Sequence, residues 1–198
     1  MRAQVADPEP LWSRPDWEGW RREAPARLSE ALPALRAALA DAETRVSRGL
    51  REPRAERGRA ELRAALAAGD GCAAASAAAR LAGLGEGLTP AADDYLVGAL
   101  YALHALRPGP EAAALAVAVA AEAAPRTTTL SAAWLRRAAA GEVPPAWERL
   151  LEALLRRGDQ EAAIHGLIAT GHTSGRAALE GFIAAASALL ADAGGQPA

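Results

Sequence analysis

The chain of 198 residues suits one domain, long enough to bury a real core without relying on disulfides or metals. Alanine makes up over a quarter of it, beside three isoleucines and one phenylalanine, a composition that argues for helices over sheet. A formal net charge of -2 gives no electrostatic reason for nucleic acid or an anionic membrane as the main partner, and a lone cysteine, Cys72, excludes an intrachain disulfide and a cysteine-based zinc cluster.

Taken in chain order, residues 1–25 carry four prolines and the tryptophans Trp12, Trp17 and Trp20 without steady periodicity, and read as an irregular arm docked through its indoles. A helical pattern follows over 26–42 through Leu28, Leu32, Leu35 and Leu39, with Pro33 a local objection. Arg45, Arg48, Arg51, Arg54, Arg57 and Arg59 then alternate with Glu43, Glu52, Glu56 and Glu61, which favours a solvated connection over an RNA-binding strip. Two short helices are expected at 61–68 and 72–81, split by Gly69, Asp70 and Gly71. Further helices are expected near 90–106, 111–124, 129–140, 145–157, 159–170 and 174–191. The reading is a single all-α domain of about eight or nine helices over 26–195, with Gly98 and Gly181 permitting the closest helix approaches. No stretch is apolar and long enough to span a membrane, the N-terminus lacks a signal-peptide pattern, and the reduced lone thiol points to the cytoplasm.

Three passages concentrate the chemistry. The first, GLGEGLTPAADDYLVG ending at Gly98, puts a glycine-rich turn with Gly85 and Gly87, the cap residue Thr89, Pro90 and paired carboxylates Asp93 and Asp94 at one helix start. Free backbone N–H groups there suit an anion, and a carboxylate one turn in can orient a donor. The second is RTTTLSAAWLRRAAAG from Arg126 to Gly141. The third, GHTSGRAALEG from Gly171 to Gly181, is an imperfect echo of the first: both run Gly-x-Thr, a helical start, then Leu-x-Gly.

Asp93 and Asp94 point about 100° apart on a helix, so they cannot act as one bidentate unit. One reaches a ligand while the other fixes the glycine turn, or both merely complement the helix dipole. Arg126 is the candidate for reading a carboxylate or phosphate with its planar fork, or else a surface arginine beside a cap. Thr127, Thr128 and Ser131 can add hydroxyl donors, with Thr129 or Ser131 capping the next helix. His172 is a general acid or oxyanion donor, or a structural histidine bonded in its loop. Thr173 and Ser174 sit beside it at a helix start, and Arg176 is either a second anion contact or a solvated arginine. His104 and His165 read as structural, and three histidines without ligand spacing argue against zinc. A magnesium ion on Asp93 or Asp94 with a phosphate ligand is the one cofactor the pattern leaves open. The absence of lysine excludes a Walker A loop, and neither Ser131 nor Ser174 sits on a nucleophile elbow.

Together the three blocks, in this order over about residues 80–185, resemble a bacterial family of unknown-function domains that includes the AllH-like subunit of oxamate carbamoyltransferase. The resemblance implies carbamoyl transfer among carbamoyl phosphate, oxamate and oxalurate, small planar anions held by positioning and electrostatics, with Asp93, Asp94 and His172 as the catalytic set. It also implies partner subunits. The chain departs from the family pattern where Ala91 and Ala92 replace Ser-Gly and Ala177 replaces Asp, and the family's strand-rich N-terminal region has no counterpart in this sequence. These departures favour the other reading, a non-catalytic ligand-binding or assembly subunit.

Overall fold

The computed structural model describes residues 11–41, 48–156 and 158–195; residues 1–10 of the arm, Glu43 and Arg45 lie outside them. The fold is all-α: α1 Trp17–Asp41, α2 Arg48–Arg51, α3 Pro53–Ala68, α4 Gly71–Leu81, α5 Ala91–Leu106, α6 Gly109–Ala123, a 3-10 turn Ala124–Arg126, α7 Thr129–Ala139, α8 Pro145–Arg156, α9 Gln160–Ile168 and α10 Ser174–Gly195. The one β-type feature among the described residues is an isolated antiparallel bridge between Ser13 and Val143. No helix among them is long and apolar enough to cross a membrane.

Two boundaries differ from the sequence expectation, both for reasons of packing. The irregular segment ends at Asp16 and not at residue 25, because Trp17, Trp20, Ala24 and Leu28 fall on one buried helical stripe and the Asp16 carboxylate accepts from the Gly19 amide at 2.9 Å. α1 then continues through both Pro25 and Pro33. The arginine-rich connection is helical over Arg48–Arg51 and again from Pro53 onward. Its buried side is made of Ala55, Gly58, Leu62, Ala65 and Leu66, small residues that give little hydrophobic periodicity, while Arg54 and Arg57 remain exposed. Gly69, in the left-handed region at φ 69°, ends α3, and Asp70 caps α4 by accepting from the Ala73 amide at 2.9 Å.

The molecule is built on the close pairing of α5 with α10. A Cβ at Gly98 would collide with the Ala178 carbonyl oxygen, and one at Gly181 with the Tyr95 carbonyl oxygen, so each helix presents a glycine to the other's backbone. Such reciprocal contact brings the axes nearer than alanine would allow. Around this pair the aromatic core is continuous: Trp147 meets Tyr101 edge-on at 4.9 Å and Phe182 at 5.2 Å between ring centroids. The pairing also carries the start of α10 to the start of α5, bringing the first and third sequence blocks together.

Candidate functional site

The glycine loop between α4 and α5 is held open by conformations that favour glycine. Gly83, Gly85 and Gly87 have φ of 75°, 126° and 89°. A Cβ at Gly83 would lie 2.8 Å from the Arg126 carbonyl oxygen and one at Gly85 2.6 Å from the Ala91 amide nitrogen, so these two positions are also closed sterically. The loop closes on α5 through the Ala92 amide, which donates to the Leu84 carbonyl at 3.0 Å. Pro90, with extended ψ of 136°, occupies the N-cap position, and its carbonyl accepts from the Asp93 and Asp94 amides at 2.9 and 3.2 Å. Thr89 therefore stands one residue too early to cap. Its Oγ1 instead lies 2.8 Å from Ser174 Oγ, joining the first block to the third.

The second block is joined to the first by two hydroxyls. Thr127 Oγ1 donates to Asp93 Oδ2, and Thr128 Oγ1 donates to the Leu88 carbonyl at 2.6 Å. Thr128 is also the cap of α7, accepting from the Ser131 amide at 3.1 Å, where Thr129 or Ser131 was expected. Ser131 itself is buried, with its hydroxyl on the Asp93 side.

The two aspartates divide the work. Asp93 is 1 % exposed, with Oδ1 accepting from the Gly83 amide at 2.8 Å and Oδ2 from Thr127. Burial raises its pKa, and the Thr127 hydroxyl, Gly83 amide and Ser131 hydroxyl pull the other way. It braces the loop against the second block. Asp94 faces the start of α10. Burial pushes its carboxyl up to about 7, the Ser174 hydroxyl opposes this, and the charge of Asp93 adds to it. Its Oδ2 is shielded from solvent and has no hydrogen-bond partner among the described residues. Such a carboxyl can take a ligand N–H or exchange a proton near neutrality.

Asp93, Asp94, Thr89, Thr127, Thr128, Ser131 and Ser174 thus meet at one junction, walled by the loop of Gly85 and Gly87. The basic residues stand differently. The Arg126 backbone abuts Gly83, but its half-exposed guanidinium turns back to the Glu122 carbonyl and pairs with Glu122 Oε2 at 3.0 Å. Arg176 Nη1 donates to the Leu39 carbonyl at 2.6 Å, beside a cavity of about 430 Å³ whose lining includes Arg51, Arg59 and Glu180. His172 is exposed in the turn before α10, and the Thr173 carbonyl accepts from the Ala177 amide at 2.9 Å as that helix starts. Two participants had gone unnoticed in the sequence, the Gly83 amide and the Leu88 carbonyl. The signal for Gly83 was its place as the first glycine of the same loop; a backbone carbonyl leaves none.

Among the described residues no three His, Cys, Asp or Glu side chains gather closely enough to hold a metal ion. Asp93 has both oxygens engaged within the fold, which leaves Asp94 as the one junction carboxylate with an uncommitted oxygen.

Neither a curated protein nor a solved structure matches the chain. A family model described as oxamate carbamoyltransferase subunit AllH matches residues 81–186, more than half of the chain, from the end of α4 through the first half of α10. That span contains the glycine loop, both aspartates, the threonine block and the Thr89–Ser174 contact, and on this match the chain belongs to the AllH family.

Proposed function

We propose that this chain contributes a small-molecule site to carbamoyl transfer, with Asp94 as its proton-carrying group. The observation that carries the reading is the shielded, unpartnered Oδ2 of Asp94, on a carboxyl held near 7, where three sequence blocks meet. The family description supplies the reaction class. In the transfer, an amide nitrogen of the acceptor bonds to the carbamoyl carbon of carbamoyl phosphate. The carbon–oxygen bond to phosphate breaks, phosphate leaves with the electron pair, and the nitrogen's proton passes to Asp94. An amide is a weak nucleophile, so a base placed within hydrogen-bond reach of it is the group the reaction most needs.

The glycine loop and the hydroxyls of Thr89, Thr128 and Ser174 form the wall against which a small anion is held. Asp93 positions that wall. Partner subunits complete the enzyme, in keeping with the word subunit in the family's description.

Asp94→Asn tests the reading, because it keeps shape and hydrogen bonding and removes only the ability to take a proton. Turnover by the chain assembled with its companion subunits should fall by roughly 10²–10⁴, the usual share of a general acid or base, with the helical circular dichroism unchanged. Full turnover by the variant would end this role for Asp94.

A second reading, a non-catalytic ligand-binding or assembly subunit, is favoured by two observations. Ala177 puts a buried methyl where the family pattern has a carboxylate, and the Arg126 guanidinium is committed to Glu122. Ligand binding by the chain together with normal turnover of an assembly carrying Asp94→Asn would support it.

A further inference from the structure

The C-terminal end of α7 is closed by three donors from elsewhere in the chain. His104 Nε2, on α5, lies 3.0 Å from the Ala138 carbonyl oxygen. Arg14 Nη2 donates to the Ala140 carbonyl and Trp17 Nε1 to the Gly141 carbonyl, each at 2.8 Å. Ala138 lies in the last turn of α7, where its oxygen also accepts from the Gly141 amide at 2.9 Å, and Ala140 and Gly141 follow directly after the helix. The segment that carries Arg14 is strapped down by one more element, the Ser13–Val143 bridge, with amide-to-carbonyl distances of 2.9 and 2.8 Å in its two directions.

His104 lies beneath this strap. It is 6 % exposed and stacked on Trp17, with ring centroids 5.6 Å apart and planes inclined by 27°. Gly141, at φ 75°, closes the corner: a Cβ there would sit 3.0 Å from Trp17 Nε1 and 3.5 Å from His104 Cε1. The charged groups around the imidazole are mainly cationic. Arg14 approaches from the strap, and Arg21 of α1 donates to the His104 carbonyl at 3.1 Å. The carboxylates nearby are already engaged, Glu142 by Arg137 at 2.6 Å and Asp16 by the Gly19 amide at 2.9 Å.

We propose that residues 11–16 form an acid-released strap, which protonation of His104 lifts from the corner between α5 and α7. A second proton on the imidazole would place a positive charge between two guanidinium groups and away from water, a cost that its stacking on the Trp17 indole offsets only in part. Besides these contacts the strap is held by Trp12, edge-on to Trp134 of α7 with ring centroids 4.6 Å apart and beneath the Arg137 guanidinium, and lifting it lets water reach the ring and separates it from Arg14. Burial is the main cause holding His104 below its ordinary 6.5, with Arg21 and Arg14 adding to it and the Ala138 and Ala139 carbonyls opposing. The sign follows: a depressed histidine leaves the closed form intact above about 6.5 and costs it stability as the pH falls through the lower, closed-state value. Release would also loosen one end of α7, whose other end braces the glycine loop through Thr128 and Leu88.

Hydrogen exchange at the Ser13 and Val143 amides of the full chain reads the strap directly. Expressed as protection factors, which remove the intrinsic pH dependence of exchange, protection at both amides should drop about tenfold or more between about pH 7.5 and about pH 5. His104→Gln keeps an N–H donor near the Ala138 carbonyl and cannot charge, so its protection should stay level. Wild-type protection that does not change, or an equal drop in His104→Gln, overturns the proposal. Should the variant fold poorly, the wild-type ring resonance of His104 serves instead: it must titrate where protection is lost, and titration with both amides still protected overturns the strap equally.

Discussion

The Thr127 hydroxyl donates to the Asp93 carboxylate across the joint between the second sequence block and the glycine loop. It gives a partner to a carboxylate that is 1 % exposed, with the Gly83 amide on the other oxygen. Removing one donor to a buried acceptor leaves its desolvation uncompensated, about 1–3 kcal/mol and more where the acceptor is charged. Thr127→Val, nearly isosteric, should lower the urea unfolding free energy by that amount. A change under about 0.5 kcal/mol would mean that Asp93 is not braced there.

Gly98→Ala and Gly181→Ala should each destabilise the protein by about 3 kcal/mol or more, the upper part of the usual cost of overpacking. In both cases the added methyl meets a carbonyl of the opposite helix, Ala178 or Tyr95, and not the yielding tip of a side chain. Gly87→Ala is the control: a Cβ there meets nothing within 4 Å, so only its φ of 89° is strained. Unfolding midpoints for the three variants should place Gly87→Ala nearest the wild type.

Asp94 makes stability depend on pH in a defined direction. Its carboxyl is raised from 3.8 to about 7 on folding, so the neutral form is the one the fold favours. The associated stability is fully present below about 3.8 and is lost as the pH rises through about 7. Asp94→Asn, which cannot ionise, should gain on the wild type by about 2 kcal/mol between about pH 5 and about pH 8.5, a figure discounted for the partial exposure of the residue. His104 titrates in both proteins and cancels in the difference. A constant difference across that range would contradict the shift.

Phosphate, carbamoyl phosphate or oxamate should raise the melting temperature by binding the folded state selectively. Because Arg126 is tied to Glu122, Arg126→Ala should leave this shift nearly unchanged, whereas Thr89→Val, which breaks the contact with Ser174, should reduce it. Loss of the shift in Arg126→Ala would show that the guanidinium leaves Glu122 to meet the ligand.

Much of the architecture was legible before any coordinates. The helix starting at Ala91 follows Pro90, the one ending at Leu81 precedes a glycine loop, and the breaks at Pro108, Gly141 and Gly158 fall where their chemistry demands. These are local matters, decided by hydrogen bonds four residues apart and by the φ each residue tolerates. Gly98 and Gly181 were legible as close approaches for the same reason, since a missing side chain on an alanine-rich face has few other uses.

What only the tertiary structure decided is who meets whom. Thr89 had the chemistry of a cap and instead meets Ser174, 85 positions away; Arg126 had that of an anion reader and instead pairs with Glu122 one helical turn before it. Asp93 and Asp94 are alike as letters, and helical geometry alone set them about 100° apart. That rotation points Asp93 to the loop and Thr127, where both its oxygens are engaged, and Asp94 to the start of α10, where one oxygen has no partner among the described residues. The second helix reaches that place because two glycines, each visible in the sequence as a site of close approach, meet the backbone of the opposite helix, and that α5 pairs with α10 is settled only by long-range packing.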